Sequence, residues 1–123
     1  MLVLLVDDDP DEFEVFCDAL KNVHPGVRCL HAADGKQALQ ILGELTVLPT
    51  YIFLDINMPV MSGRELLKHI KGNAKFKSIP VIMYSTTSSP EEMLSFRKSG
   101  ASDFLIKPVH FQDLRNALRD LIK

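Results

Sequence analysis

Five short apolar runs, each followed by a helix-forming segment, constrain the fold of this chain more than any other feature. The runs fall at 2–6, 27–32, 51–54, 80–84 and 103–106. Leu2-Val3-Leu4-Leu5-Val6 and Tyr51-Ile52-Phe53-Leu54 are typical of them. They are rich in branched and aromatic residues and too short for ordinary helices, so they read as buried strands. Strict alternation of strand and helix over five rounds predicts an α/β fold built on a parallel sheet. Each right-handed crossover lays a helix on the sheet, and both faces end up covered.

The helices carry their own punctuation. Asp9 caps the first, Pro10 takes its first position and Glu12 lies in its first turn. Phe13, Phe16, Cys17 and Leu20 form its apolar stripe, and Pro25-Gly26 ends it. A second helix over 35–45 turns Ala38, Leu39, Ile41, Leu42 and Leu45 inward. Ser62-Gly63-Arg64-Glu65 and Ser89-Pro90-Glu91-Glu92 are capping boxes for the third and fourth. The third buries Leu66, Leu67 and Ile70, and the fourth presents Met93 and Phe96 and stops at Gly100. The last helix carries Phe111, Leu114, Leu118 and Leu121.

With 123 residues, the chain has room for one domain, 1–123, with a real core. A formal net charge of −2 gives no basic excess for nucleic-acid binding. The N-terminal apolar run has no basic residues before it and meets three aspartates after five residues. It therefore fits neither a signal peptide nor a membrane span, and a cytoplasmic location is the default expectation. Cys17 and Cys29 read as two reduced, partly buried small hydrophobes. Met58, Met61, Met83 and Met93 need no role beyond packing. His24, His31, His69 and His110 lack metal-ligand spacing and read as surface or loop residues.

Asp7, Asp8 and Asp9 end the first apolar run and Asp55 ends the third. In an open parallel sheet, side chains at the carboxyl ends of neighbouring strands converge on one crevice. At roughly 5 Å and an effective dielectric of about 20, each ionised carboxylate pair costs on the order of 3 kcal/mol. A fold that keeps such a cluster places a cation in it, and a hard divalent ion suits oxygen ligands. Asp9 is better used as the helix cap than as a ligand. The fourth strand delivers Ser85 to the same rim and the fifth delivers Lys107. Carboxylates, a hydroxyl and an ammonium together suit a metal plus a phosphoryl group. One carboxylate can also act as a nucleophile and form an acyl phosphate.

Four ordered segments carry a resemblance that spans essentially the whole chain. They are Leu5-Val6-Asp7-Asp8-Asp9-Pro10, Leu54-Asp55-Ile56-Asn57-Met58-Pro59-Val60-Met61-Ser62-Gly63, Pro80-Val81-Ile82-Met83-Tyr84-Ser85, and Gly100-Ala101-Ser102-Asp103-Phe104-Leu105-Ile106-Lys107-Pro108. In this order and spacing, the chain resembles the receiver domain of two-component response regulators, of the single-domain, chemotaxis-regulator-like kind. The resemblance implies a flavodoxin-like, doubly wound, five-stranded sheet of order 2-1-3-4-5.

It also implies the site. Asp55 would accept a phosphoryl group from a histidine kinase's phosphohistidine or from a phosphotransfer protein. Asp8 would ligate Mg²⁺ (or Mn²⁺) directly, with Asp7 acting through water or by orienting the site. Asn57 would offer its backbone carbonyl to the metal. Ser85 and Lys107 would bind phosphoryl oxygens, and Ser85 and Phe104 would be switch positions. A cis peptide is implied between Lys107 and Pro108, and Asn57 and Thr87 occupy positions that tune hydrolysis. The domain would catalyse only its own phosphorylation and dephosphorylation. Its output would pass to a protein target through the face of helix 4, strand 5 and helix 5, with neither nucleic acid nor membrane as partner.

Two positions depart from the family pattern. Thr86 follows Ser85 where a small residue is usual, and Val109 stands where phenylalanine is common. Neither removes a group that the chemistry needs. Three rival readings remain. A flavodoxin-like cofactor binder would need a small, hydroxyl- or glycine-rich phosphate loop, whereas Asp7-Asp8-Asp9 repels phosphate. A haloacid-dehalogenase-type phosphatase wants a second aspartate where this chain has Asn57. A degenerate receiver would not need the intact acidic, hydroxyl and lysine set.

Overall fold

The computed structural model describes residues 1–58, 60–86 and 89–122. Five strands and five helices alternate along it. They are β1 (Leu2–Val6), α1 (Pro10–Val23), β2 (Arg28–Ala32), α2 (Gly35–Glu44), β3 (Tyr51–Asp55), α3 (Gly63–Lys71), β4 (Val81–Ser85), α4 (Pro90–Lys98), β5 (Asp103–Ile106) and α5 (Phe111–Leu121). All strand pairs are parallel, and the sheet order is β2-β1-β3-β4-β5. Thr87 lies outside the described residues.

Alternation along the strands divides the core in two. Val3, Leu5, Phe53, Ile82 and Tyr84 face α1 and α5, where they meet Phe16, Leu20, Leu114 and Leu118. Leu4, Val6, Ile52, Leu54, Val81 and Met83 face the other way, onto Ala38 and Leu42 of α2, Leu66, Leu67 and Ile70 of α3, and Phe96 of α4. Residues fully withdrawn from water on both sides explain why the strands read as continuous apolar runs. Each large side chain so buried contributes about 1.5–3 kcal/mol.

The caps form as the sequence implies. Asp9 accepts from the Asp11 amide at 2.9 Å, Ser62 from Glu65 at 3.2 Å and Ser89 from Glu92 at 3.1 Å. Some details differ. β4 begins at Val81 rather than Pro80, because proline has no N–H for the ladder; its carbonyl still accepts from Ile52 at 3.0 Å. In α1, Ala19 is buried, while Phe13 and Cys17 are only half-buried. Phe111 opens α5 with 42% of its surface exposed. No peptide bond among the described residues is cis, so Lys107–Pro108 is trans, contrary to expectation. The isomers of an X–Pro bond differ by only about 0.5–1 kcal/mol, which local packing readily outweighs. Cys17 and Cys29 are free thiols, and burial, aided by contact with Cys17, pushes the Cys29 thiol up to about 12.

Candidate functional site

Strand register sets the level of each functional group. Val6 pairs with Leu54 and Asp55 with Tyr84, so Asp7 and Asp55 leave adjacent strands side by side. Ser85 pairs with Ile106, which brings Lys107 one residue beyond the end of β4. The Asp7 amide donates to the Ala32 carbonyl at 3.0 Å and the Lys107 amide to the Ser85 carbonyl at 2.7 Å, extending both ladders to the rim.

One carboxylate oxygen each from Asp7, Asp8 and Asp55 lies within 4.8 Å of the others. Asp7 is completely buried and Asp55 nearly so, while Asp8 faces solvent. The Lys107 ammonium enters this cluster, 3.1 Å from Asp7 Oδ2 and 3.7 Å from Asp55 Oδ1. It also sits 5.1 Å from the centre of the Tyr84 ring. Its closest partner is Glu12 Oε2 at 2.6 Å, a residue whose sequence position marks only the start of a helix. α1 packs beside α5 on one face of the sheet, and its first turn reaches Lys107. An acidic residue one turn after the aspartate triplet is the only trace of this in the sequence.

Burial raises the pKa of Asp7, but hydrogen bonds with Glu12 and the Asp9 amide and the charge of Lys107 outweigh it. The group ends below the usual carboxylate range. Burial raises Asp55, with Lys107 opposing and the Asp7 charge adding to the rise; the Asn57 amide donates to its carboxylate. The hydrogen bond with Asp7 and then burial push Glu12 up to about 7, against the pull of Lys107. Burial opposes the charge on Lys107, but Glu12, Asp55 and Asp7 together raise its pKa.

These shifts fix a sign. The folded protein keeps a proton on Glu12 that the unfolded chain releases near 4.5. This contribution to stability is therefore complete below that range and is lost as pH rises toward 7. Asp55, raised by burial, acts in the same sense. In chelator, the protein should melt at a higher temperature at pH 6 than at pH 8, as followed by circular dichroism. An equal or reversed pair of melting temperatures would contradict the assignment.

Other residues around the rim also have specific partners. His31, expected at the surface or in a loop, lies in β2 and stacks on Phe13 at 4.6 Å. Its Nε2 donates to the Asp7 carbonyl at 2.7 Å. Ser85 is buried at the end of β4. Asn57 is exposed just past Asp55. Phe104 is not at the rim; it is buried in the core, 6.1 Å from the Phe96 ring. Arg64 covers Phe96 from α3 at 4.3 Å and donates to Ser95 Oγ at 2.8 Å, so α3, α4 and Phe104 form one stack. Gly63 opens α3 directly against the site: a Cβ there would lie 2.2 Å from the Asp55 carbonyl oxygen.

The donor set fits a hard divalent cation. Three carboxylates converge, two of them withdrawn from water, and a single ammonium offsets them together with Glu12. Oxygen-only ligation of this kind suits Mg²⁺ or Mn²⁺ rather than a soft metal.

Residues 3–119 match the family described as the response regulator receiver domain. The chain belongs to that family. It is 37% identical over 112 residues to the two-component response regulator ORR11 of Oryza sativa subsp. indica, covering 91% of this chain and 74% of the relative. It is 38% identical over 115 residues to a probable cyclic di-GMP phosphodiesterase of Vibrio cholerae. That match covers 93% of this chain but only 25% of the relative, so the chain spans about a quarter of that protein's length. Among solved structures, the Mn²⁺-bound form of response regulator Rcp1 is similar at 26% identity and a TM-score of 0.84, covering 98% of this chain and 90% of that one. The receiver is thus a phospho-accepting signalling domain, and such domains work with histidine kinases or phosphotransfer proteins and with downstream targets. No helix among its described residues is long and apolar enough to cross a membrane.

Proposed function

We propose that the receiver takes a phosphoryl group onto Asp55 with Mg²⁺ bound at the acidic rim, and that this switches a protein-interaction surface. The observation that carries the reading is the convergence of Asp7, Asp8 and Asp55 within 4.8 Å, with the Lys107 ammonium 3.7 Å from Asp55.

In this reading, Asp8, Asp55 and the Asn57 carbonyl hold the metal, and Asp7 acts through water or orients the site. The bound ion supplies positive charge that lets an anionic donor approach an anionic rim. An Asp55 carboxylate oxygen attacks phosphorus as the donor's P–N bond breaks, and the imidazole leaves with that electron pair. Lys107 and Ser85 would bind phosphoryl oxygens. The chemistry is confined to the domain's own aspartate, so the protein turns over no separate substrate. All of 1–123 acts as one receiver unit in the cytoplasm, with neither nucleic acid nor membrane as partner.

The product carries about −1.5 to −2 charges where the carboxylate carried −1. Lys107 and Ser85 are drawn toward it. Because Phe104 stacks through Phe96 on Arg64, a shift at β4 and β5 bears on the packing of α4. The α4-β5-α5 face, where Leu94 and Ile106 are about half exposed, is the proposed output surface. The phosphate acts as a ligand that favours one arrangement of this face over another.

Incubation with acetyl phosphate and Mg²⁺, followed by intact mass, tests the assignment. Wild type should gain one phosphate and Asp55→Asn none, while Asp8→Asn should need more Mg²⁺ for the same uptake. Uptake by Asp55→Asn, or none by wild type, would refute it.

A further inference from the structure

The Lys107 ammonium is not held where the proposed chemistry needs it. Its nearest carboxylate oxygen belongs to Glu12 at 2.6 Å, followed by Asp7 at 3.1 Å and Asp55 at 3.7 Å. The first two are hydrogen bonds and the third is only an ion pair. A phosphoryl group on Asp55 lies beyond the Asp55 oxygens, so Lys107 must turn away from Glu12 to reach it. Glu12 also places a carboxylate beside Asp7.

We propose that Glu12 is a positioning residue that draws the Lys107 ammonium off Asp55 and thereby restrains phosphoryl uptake. The inference rests on the reading of Asp55 as the acceptor. Glu12 lies against Asp7 but is not one of the three converging carboxylates and does not touch the reacting Asp55 oxygen; it acts through Lys107. Approach to the transition state exchanges a charge-assisted hydrogen bond to Glu12 for one to the phosphoryl group. A weaker Glu12 contact makes that exchange easier. Glutamine at this position keeps the shape and a weaker acceptor but removes the charge. Aspartate keeps the charge but is one methylene too short for the 2.6 Å contact.

The test compares initial uptake from acetyl phosphate at saturating Mg²⁺ and pH 8 in wild type, Glu12→Gln and Glu12→Asp. Glu12→Gln should react about five- to tenfold faster, the size expected when the hydrogen bond to be exchanged has one ionised partner instead of two, with Glu12→Asp between it and wild type. A second readout is the Lys107 side-chain nitrogen signal in isotope-labelled, metal-free protein. It should move and broaden in Glu12→Gln, which a merely structural role would not cause. If wild type is phosphorylated and Glu12→Gln is equal or slower, Glu12 does not restrain Lys107. An unmoved Lys107 signal overturns the proposal in the same way. If wild type takes up no phosphate, the acceptor reading falls and this inference with it.

Discussion

Lys107→Met should lower the melting temperature of the metal-free protein by on the order of 10 °C, from a loss of about 3 kcal/mol. The lysine is the cation against which Asp7, Asp55 and Glu12 all lean. Asp7 has no exposed surface and the lysine side chain keeps 11% of its own, so water cannot take over the charge compensation. Removing one member of a buried ion pair leaves the other uncompensated, which is why the cost exceeds the net value of the pair. Millimolar Mg²⁺ should recover part of the loss, because a ligand bound only to the folded state stabilises it and its charge does what the ammonium did. Asp55→Asn should move in the opposite direction in chelator, since it removes one of the repelling carboxylates while Lys107 stays. Thermal melts of the two variants with and without Mg²⁺ check both signs. A Lys107→Met melt unchanged in chelator would mean that the cluster is neutralised in some other way.

Gly63→Ala should be the most damaging single-methyl substitution in the chain. The added Cβ would lie 2.2 Å from the Asp55 carbonyl oxygen and 2.8 Å from the Ile56 Cα. Both are backbone atoms next to the proposed acceptor, so no flexible side chain can give way. The Gly63 amide is also tied to the Ile56 carbonyl at 2.9 Å, which holds the start of α3 against the end of β3. Overpacking of this kind costs about 1–3 kcal/mol, and the rigidity of the contact puts this case at the upper end. The displaced backbone is that of Asp55, so phosphate uptake should fall together with stability. Gly43→Ala in α2 is the control: its Cβ meets nothing within 4 Å, and it should stabilise by up to about 1 kcal/mol. Urea denaturation of both variants separates crowding from helix propensity. A Gly63→Ala variant as stable as wild type would show that α3 can back away without cost.

The two substitutions mark different depths of legibility. Lys107 can be read from sequence because a lysine after an apolar run, before proline, stands at the end of a strand. Its meeting with Asp7 then follows from parallel register alone. Gly63 appears in the sequence only as a residue after a capping serine. Its closeness to Asp55 depends on how steeply α3 leaves β3, and no periodicity records that angle. Glu12 and His31 are missed for the same reason. An acidic first turn is ordinary for a helix, and a histidine in an edge strand is ordinary too. Only the packing of α1 beside α5 puts one on Lys107, and only the pairing of β2 with β1 puts the other by the Asp7 carbonyl. Phe111 shares the apolar spacing of Leu114 and Leu118, yet at the start of α5 it stays 42% exposed, which spacing alone does not record.

What the sequence determined alone is the order of elements, their parallel pairing and the rim on which Asp7, Asp8, Asp55, Ser85 and Lys107 emerge. Strand length, helix caps and the handedness of crossovers are local properties, and they suffice to bring strand ends together. Tertiary structure alone decided which oxygen holds the Lys107 ammonium, how far Asp55 is withdrawn from water and what stands behind the Asp55 peptide. Those depend on distances of a few tenths of an ångström between elements far apart in the chain. Coulomb and contact energies change steeply over such distances, while the pattern of residue types does not change at all.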